Sequence, residues 1–180
     1  FPRRLNIGGE DKIVCLHRPK YPWHYKIGKA LSAPSIFLAA ADELPDFYRG
    51  KAESIVLATP EFAWEANRIG ASWPPLEIRP GLWLLAYHGK QDDQIGYTQS
   101  FMVLRENGTL KPTVEQRPAE RLWYAEEPWE LAGDFTIPCL FTCSGVLLDD
   151  GRLLMGYGAA DTQIGLLEVD FRQLLQYLGV

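Results

Sequence analysis

Residues 83–89 read WLLAYHG, and the apolar run of residues 96–104 (GYTQSFMVL) follows them after a short polar loop. This order of features occurs twice more in the chain. The other copies pair residues 12–18 (KIVCLHR) with 35–42 (SIFLAAAD), and 152–158 (RLLMGYG) with 162–170 (TQIGLLEVD). In each copy the pattern predicts a strand that ends near a histidine or an aromatic residue, then a loop and a second strand. We therefore interpret the chain as a repeat of small strand units.

The spacing of the copies favours a β-propeller over a β-sandwich, although both folds contain many short strands. The equivalent strand ends are His17, His88 and Tyr157, which recur at nearly equal intervals. These intervals exceed the roughly 40–50 residues of a typical blade, which predicts long loops. We predict an all-β chain with about three four-stranded antiparallel blades and a short C-terminal helix. The strands that end at the three equivalent positions are expected to be the innermost strands.

The whole sequence is predicted to be a single partial propeller domain, residues 1–180, with blade-like repeats at roughly 1–60, 61–120 and 121–180. Strands are predicted at 12–18, 35–41, 82–88, 97–104, 140–148, 152–158 and 163–169, with helices over 171–178 and near 41–47. Asp150 and Gly151 indicate a hairpin turn. Because propellers close with about four blades or more, we expect further N-terminal blades that precede Phe1.

The composition argues against several classes of protein. The 18 Lys and Arg residues against 23 Asp and Glu residues give a net charge of -5, which argues against nucleic-acid binding. A hydrophobic content of 47% is typical of a globular chain, and no apolar run is long enough to span a membrane. The spacing of the three cysteines fits neither a zinc site nor a disulfide framework, so we expect reduced thiols and no metal.

Polar residues near the repeated strand ends are the candidate functional residues, because the inner strand ends of a propeller converge on one central funnel. The set comprises His17, Arg18, Arg68, His88, Tyr157 and Asp161. An arginine guanidinium offers a rigid fork of donors to phosphate oxygens, and histidine can donate from either ring nitrogen. Basic groups combined with one carboxylate and an aromatic ring predict a site for an anion and a sugar.

Several separate motifs carry a family resemblance. They are APSIFL at residues 33–38, RIGA at 68–71 with Pro74 and Pro75, WLLAYHG at 83–89, EEPWE at 126–130 and YGAADT at 157–162, together with Phe1-Pro2 and LHRP at 16–19. In their order and spacing, and over essentially the whole chain, they resemble glycoside hydrolase family 130. This family contains β-mannoside phosphorylases and related β-mannosidases.

The resemblance implies a five-bladed propeller, of which this chain would be the C-terminal part, and an inverting reaction. In that reaction inorganic phosphate attacks the anomeric carbon of a β-mannoside, and α-mannose 1-phosphate forms. By the resemblance, Arg18, Arg68 and His88 bind phosphate, and Asp161 contacts the mannose. The further sugar-binding candidates are Tyr97, Tyr157 and Trp73.

The sequence departs from the family pattern at several positions. Arg68 stands where the family usually has lysine, residues 72–73 (SW) stand where it keeps small residues, and residues 98–100 (TQS) stand where Arg-Leu-Gly is usual. The family's general acid is an Asp in a Glu-Asp-Pro-Arg segment, which is expected upstream of Phe1. The sequence of this chain contains no such segment, so the chain alone is predicted to be inactive, since an inverting transfer needs a proton donor.

Two alternative functions remain open. A hydrolase of the same β-mannosides would need a carboxylate base that activates water. Glu77, within PPLE at residues 74–77, is the candidate for that base. The second alternative is a non-catalytic fragment or sugar-binding module that lacks the general acid. His24, within residues 21–25, is a candidate for a lid over the site.

The expected partners are a small-molecule sugar and phosphate, without nucleic acid or membrane. No cofactor and no metal ion are expected, because inorganic phosphate serves as the co-substrate. A homo-oligomer is left open. A cytoplasmic location is expected, since a phosphorylase needs phosphate and the cysteines fit a reducing compartment.

Overall fold

The computed structural model describes residues 1–19, 31 and 33–180. The strands in this part of the chain are β1 (Leu5–Ile7), β2 (Glu10–His17), β3 (Ile36–Ala41), β4 (Glu53–Ala58), β5 (Arg68–Ala71), β6 (Leu76–Arg79), β7 (Leu82–Lys90), β8 (Tyr97–Arg105), β9 (Thr113–Gln116), β10 (Leu140–Leu147), β11 (Arg152–Ala159) and β12 (Gln163–Asp170). The α-helices are α1 (Leu44–Tyr48), α2 (Pro128–Leu131) and α3 (Phe171–Tyr177), and a 3₁₀ helix covers Ala63–Glu65. None of these helices has the length and apolar content needed to cross a membrane.

The described strands form three antiparallel sheets, and the strands of each sheet are consecutive in the chain. The first sheet has the order β1-β2-β3-β4, and the third has the order β10-β11-β12. In the second sheet the order is β5-β7-β8-β9, and β6 pairs with β7 beside β5. Together, β5 and β6 act as one interrupted edge strand. This confirms the predicted all-β antiparallel architecture, although the third sheet has three strands among the described residues.

The prediction that β2, β7 and β11 are the innermost strands is wrong. The innermost strand of a blade is an edge strand, because nothing pairs with it on the side of the central channel. These three strands, which end at or near His17, His88 and Tyr157, each pair with a strand on both sides. They are equivalent as the second strand of each sheet, and the edge positions beside them belong to β1, β5 and β10.

The elements predicted from the sequence have counterparts in the structure. Each predicted strand corresponds to one of β2, β3, β7, β8, β10, β11 and β12, and the two predicted helices correspond to α1 and α3. Gly151 has a φ of 86°, which the tight turn between β10 and β11 requires. The Asp170 carboxylate accepts a 2.9 Å hydrogen bond from the Gln173 amide and thereby caps α3. The strands β1, β4, β5, β6 and β9 are not predicted from the sequence. Four of these strands, β1, β5, β6 and β9, have only three or four residues, which is too short to produce a clear alternation in sequence.

The central strand β7 is buried on both faces, which explains its continuous apolar run. Trp83, Leu85 and Tyr87 pack toward the first sheet, in a core that includes Val14, Ile36 and Leu38. The alternate residues Leu84 and Ala86 pack toward the third sheet, in a second core with Leu153, Met155 and Leu174. The second sheet is therefore held between its two neighbours, and the C-terminal end of β7 lies where all three sheets meet.

Candidate functional site

One end of the second sheet carries polar side chains on a single face. His88 and Lys90 follow Leu84 and Ala86 at alternate positions of β7, and alternate residues of a strand share a face. The residues directly opposite His88 and Lys90 are Gly70 and Arg68 on β5, and Gln99 and Tyr97 on β8. Directly opposed residues of antiparallel strands point to the same side of the sheet. This face therefore changes from apolar to polar along β7.

Arg18 reaches this face from the first sheet, directly after β2. Its Nη1 lies 3.0 Å from His88 Nε2. The His88 imidazole packs against Phe141 of β10, with ring centroids 4.3 Å apart. A Cβ atom at Gly70 would lie 2.9 Å from Arg18 Nη1 and 2.6 Å from His88 Cε1, so the pair lies directly over the glycine backbone. The Arg18–His88 pair thus joins groups from all three sheets.

The electrostatic surroundings keep His88 uncharged at neutral pH. Burial, together with the positive charges of Arg18 and Arg68, lowers the pKa of His88 to about 3. Burial and the charge of Arg68 also lower the pKa of Arg18, although an arginine stays protonated in proteins. Arg18 contacts His88, and Arg68 lies on β5 two positions from Gly70, the residue opposite His88, so both positive charges act on one neutral imidazole.

The two guanidinium groups are free of acidic partners in the described part of the chain. Neither Arg18 nor Arg68 has a carboxylate within ion-pair distance there, and Arg68 Nε donates a 2.7 Å hydrogen bond to Asn67 Oδ1. Arg117, by contrast, forms ion pairs with Glu61 and Glu65. Acidic side chains outnumber basic ones in this protein. Two neighbouring arginines without a carboxylate therefore form a positive site that an anion can fill.

Lys90 is a further cation on this face that sequence reasoning missed. It lies directly opposite Arg68, and its Nζ forms a 2.5 Å ion pair with Asp93 and lies 5.6 Å from the centre of the Tyr97 ring. Asp93 balances its charge, so the unbalanced positive charge comes from the arginines. The sequence signal for Lys90 is its place in HGK at residues 88–90, two positions after His88 on the same strand. Its position opposite Arg68 depends on strand register, which the sequence alone does not specify.

Tyr97 and Asp161 lie at the rim of this region. Tyr97 forms a parallel bridge with Cys139, and its ring centroid lies 5.9 Å from that of His88. The Ala160 amide donates a 3.2 Å hydrogen bond to the Cys139 carbonyl, which brings the turn that contains Asp161 to the same segment. Burial and the charge of Asp161 raise the pKa of Cys139 to about 11. Ala160 and Asp161 have φ values of 46° and 55°. Such left-handed backbone is rare outside glycine and concentrates at functional sites, which draws attention to this turn.

The contacts that His17 and Tyr157 make with other described residues join them to partners other than the Arg18–His88 pair. His17 Nε2 lies 2.9 Å from Ser54 Oγ, and its ring packs against Phe37 with centroids 5.5 Å apart. The buried Tyr157 hydroxyl donates a 2.5 Å hydrogen bond to Glu130 Oε1. These contacts argue against the predicted convergence of His17, His88 and Tyr157, because β2 and β11 direct these side chains to partners within or beside their own sheets. His24 lies outside the described residues.

Trp73 packs in the apolar interface between the second and third sheets. It is 5% exposed, and its ring meets Phe101 edge-on with centroids 6.1 Å apart. Trp73 also borders a cavity of about 310 Å³, whose lining includes Phe1, Leu16 and Ser72. Its Nε1 has no hydrogen-bond partner among the described residues. Trp73 therefore lies in the interface between these sheets, and none of its described contacts joins it to the Arg18–His88 pair.

Glu77 lies at the opposite end of β7 from His88. It pairs with Trp83, five positions before His88 in the chain, which corresponds to roughly 17 Å along a strand. Its carboxylate forms a 2.5 Å ion pair with Arg3 and accepts a 2.9 Å hydrogen bond from the Gly81 amide. The structure therefore argues against Glu77 as a base at this site, which removes the sequence feature that favoured a hydrolase.

Replacing Gly70 with alanine is expected to weaken anion binding about tenfold. The new methyl group would overlap the Arg18–His88 pair, and the packed His88 ring has little room to move. Displacing one hydrogen bond to a charged group costs about 1.5–3 kcal/mol, which is a decade or more in affinity. Phosphate affinity by isothermal titration calorimetry measures the effect. Gly158→Ala, where a Cβ meets no atom within 4 Å, is the matched control. Equal phosphate affinity in both variants would contradict the proposed location of the anion.

Comparison with known proteins identifies the family. The profile of glycoside hydrolase family 130, described as beta-1,4-mannooligosaccharide phosphorylase, matches residues 5–179. The chain is 29% identical over 174 residues to a 1,2-beta-oligomannan phosphorylase from a Thermoanaerobacter species, covering 97% of this chain and 50% of the relative. It is also 29% identical over 181 residues to a beta-1,4-mannooligosaccharide phosphorylase from Ruminococcus albus, covering 99% of this chain and 49% of the relative.

A solved structure shares the fold. The beta-1,2-mannobiose phosphorylase from Listeria innocua superposes with a TM-score of 0.71 at 23% identity, covering 93% of this chain and 43% of that structure. This likeness supports the assignment of the three sheets to a β-propeller of that type. The chain spans about half the length of the curated relatives that it matches. Because the family profile covers nearly the entire sequence, the chain belongs to glycoside hydrolase family 130.

Proposed function

We propose that this chain supplies the phosphate-binding part of an enzyme that cleaves β-mannosides by inverting phosphorolysis. The observation that carries the proposal is the pair of arginines, Arg18 and Arg68, which lie near the neutral His88 and have no acidic partner among the described residues. A phosphate dianion would balance the two positive charges, and each guanidinium can donate two parallel hydrogen bonds to phosphate oxygens. The family assignment supports the same anion.

In the proposed reaction, a phosphate oxygen attacks the anomeric carbon of the mannoside. The bond between that carbon and the glycosidic oxygen breaks, the configuration inverts, and α-mannose 1-phosphate leaves together with the shortened sugar. A general acid gives a proton to the leaving oxygen. We assign the binding and orientation of phosphate to Arg18 and Arg68. We assign the role of the general acid to none of the described residues.

The sugar is proposed to occupy the region between the arginine pair and the β11–β12 turn. The exposed Asp161 carboxylate can accept hydrogen bonds from mannose hydroxyl groups. Tyr97 and Phe141, whose ring centroids lie 5.9 Å apart, offer apolar surfaces against which a pyranose ring can pack. Relatives of equal identity are named for β-1,2 and β-1,4 linkages, so both linkages belong in the substrate test.

The proposal is tested by the dependence of cleavage on phosphate in the complete gene product. With β-1,2- or β-1,4-mannobiose as substrate, we expect the initial rate to rise from near zero to saturation as phosphate is added. The expected products are α-mannose 1-phosphate and mannose in equal amounts, measured by phosphorus NMR and anion-exchange chromatography. A rate that does not depend on phosphate, with free mannose as the sole product, would establish the hydrolase instead. Sugar binding without cleavage would establish the binding module.

A further inference from the structure

The hydrogen bonds around His88 define which of its nitrogens carries the proton. Arg18 Nη1 lies 3.0 Å from His88 Nε2. A guanidinium has donors and no acceptor, so Nε2 must present its lone pair to Arg18. Burial and two positive neighbours keep the ring neutral. The single ring proton of a neutral imidazole therefore resides on Nδ1.

A buried chain of hydrogen bonds continues from Nδ1. Ser72 Oγ lies 3.4 Å from His88 Nδ1, and the Ser72 hydroxyl donates a 2.9 Å hydrogen bond to Gln99 Oε1. Because a hydroxyl has one proton, Ser72 meets His88 with a lone pair and can accept the Nδ1 proton. In this chain of hydrogen bonds, each donor, from Arg18 through His88 to Ser72, therefore points away from the anion site toward Gln99.

Gln99 is itself fixed in one orientation. Its Nε2 donates a 3.0 Å hydrogen bond to the Leu140 carbonyl, which can accept but not donate. Its Oε1 accepts a second hydrogen bond, of 2.7 Å, from Thr142 Oγ1. Rotating the amide by half a turn would direct Oε1 at a carbonyl oxygen, so the carbonyl of Gln99 must face Ser72. The side chain is 1% exposed, so water cannot substitute for these partners.

We propose that Gln99 is a positioning residue for phosphate binding: through Ser72 it holds the His88 proton on Nδ1, so that Nε2 accepts from Arg18 and fixes that guanidinium over Gly70. This inference rests on the proposed function, because it assigns a purpose to the position of Arg18. His88 then acts on phosphate binding through Arg18. Without Gln99, the Ser72 hydroxyl could turn and donate to Nδ1, which would move the ring proton to Nε2 and direct it at Arg18.

The tautomer of His88 tests the inference directly. The complete gene product is labelled with ¹⁵N-histidine, and long-range nitrogen–proton spectra distinguish the two neutral tautomers. The variant H88Q identifies the His88 signals among those of the three histidines. In the protein without phosphate we expect the Nδ1-protonated form. In Gln99→Met, which keeps the side-chain length, we expect a substantial Nε2-protonated population and about a tenfold weaker affinity for inorganic phosphate.

Two further variants keep the test decisive if Gln99→Met does not fold. Ser72→Ala breaks the same chain of hydrogen bonds and should reproduce the loss of phosphate affinity. The double variant Ser72→Ala/Gln99→Met should lose little further affinity, because the two substitutions act on one network. Ser100→Ala is the matched control. Ser100 follows Gln99 on β8 and is as buried as Gln99, but its hydroxyl donates to the Glu120 carbonyl instead. It should leave the tautomer and the affinity unchanged.

The outcomes separate this inference from the proposed function. An unchanged His88 tautomer and unchanged phosphate affinity in Gln99→Met and Ser72→Ala would overturn the role of Gln99 while leaving phosphorolysis intact. An Nε2-protonated His88 in the unaltered protein would overturn it as well. Absence of phosphate binding by the unaltered protein would refute the proposed function, whereas the tautomer, read without phosphate, would still report whether the hydrogen-bond chain operates.

Discussion

Replacing Arg68 with alanine is expected to raise the phosphate concentration required for half-maximal cleavage by about ten- to a hundredfold. A hydrogen bond to a charged group contributes about 1.5–3 kcal/mol, and each decade in affinity corresponds to about 1.4 kcal/mol. Arg68 is one of two guanidinium groups at the site without an acidic partner among the described residues. Its loss therefore removes about half of the unbalanced positive charge that faces the anion.

The measurement is the initial rate of β-mannobiose cleavage against phosphate concentration in the complete gene product. Arg172→Ala is the matched control, because it makes the same change in net charge on the exposed surface of α3. We expect the control to behave as the unaltered protein. Binding of the mannoside in the absence of phosphate should change far less in Arg68→Ala. Equal phosphate dependence in Arg68→Ala and the control would remove Arg68 from the phosphate site.

The repeat in the sequence was sufficient to predict the fold, because it depends on local alternation and turn residues. The strand from Leu82 and the hairpin at Gly151 follow directly from such patterns. The innermost strands cannot be identified from sequence periodicity, for a physical reason. Short edge strands such as β1 and β5 have too few residues for a periodic signal, so in their sheets the signal begins with the longer second strand.

The candidate site was predicted as far as residue types allow. The meeting of Arg18, Arg68 and the strand end at His88 was expected from the sequence and the family resemblance, and the structure brings these three residues together. The sequence alone does not indicate the hydrogen-bond chain through Ser72 and Gln99. It depends on which residues of β8 lie opposite those of β7, and a one-residue change in register would direct Gln99 to the other face.

A second large effect is expected where the first two sheets meet, at the buried ion pair between Arg117 and Glu65. Glu65 is fully buried, and its carboxylate accepts a 2.7 Å hydrogen bond from Arg117 and a 2.8 Å hydrogen bond from the Tyr87 hydroxyl. Arg117 also donates a 2.9 Å hydrogen bond to the Thr59 carbonyl. Glu65 is the last residue of the 3₁₀ helix that leads into β5, so the ion pair supports the segment that presents Arg68.

Replacing Arg117 with methionine should lower the free energy of unfolding by about 3–5 kcal/mol, because it leaves a buried carboxylate without its cation. Urea unfolding of the complete gene product at neutral pH, followed by tryptophan fluorescence, measures the change. Adding Glu65→Leu to Arg117→Met should restore much of the loss, since the isolated charge is then removed as well. Arg105→Met, which breaks an exposed pair with Glu115, should have little effect because solvent screens that pair. If Arg117→Met unfolds at the same urea concentration as the unaltered protein, the remaining hydrogen bonds of Glu65 are sufficient to hold its carboxylate, and the ion pair does not hold the two sheets together.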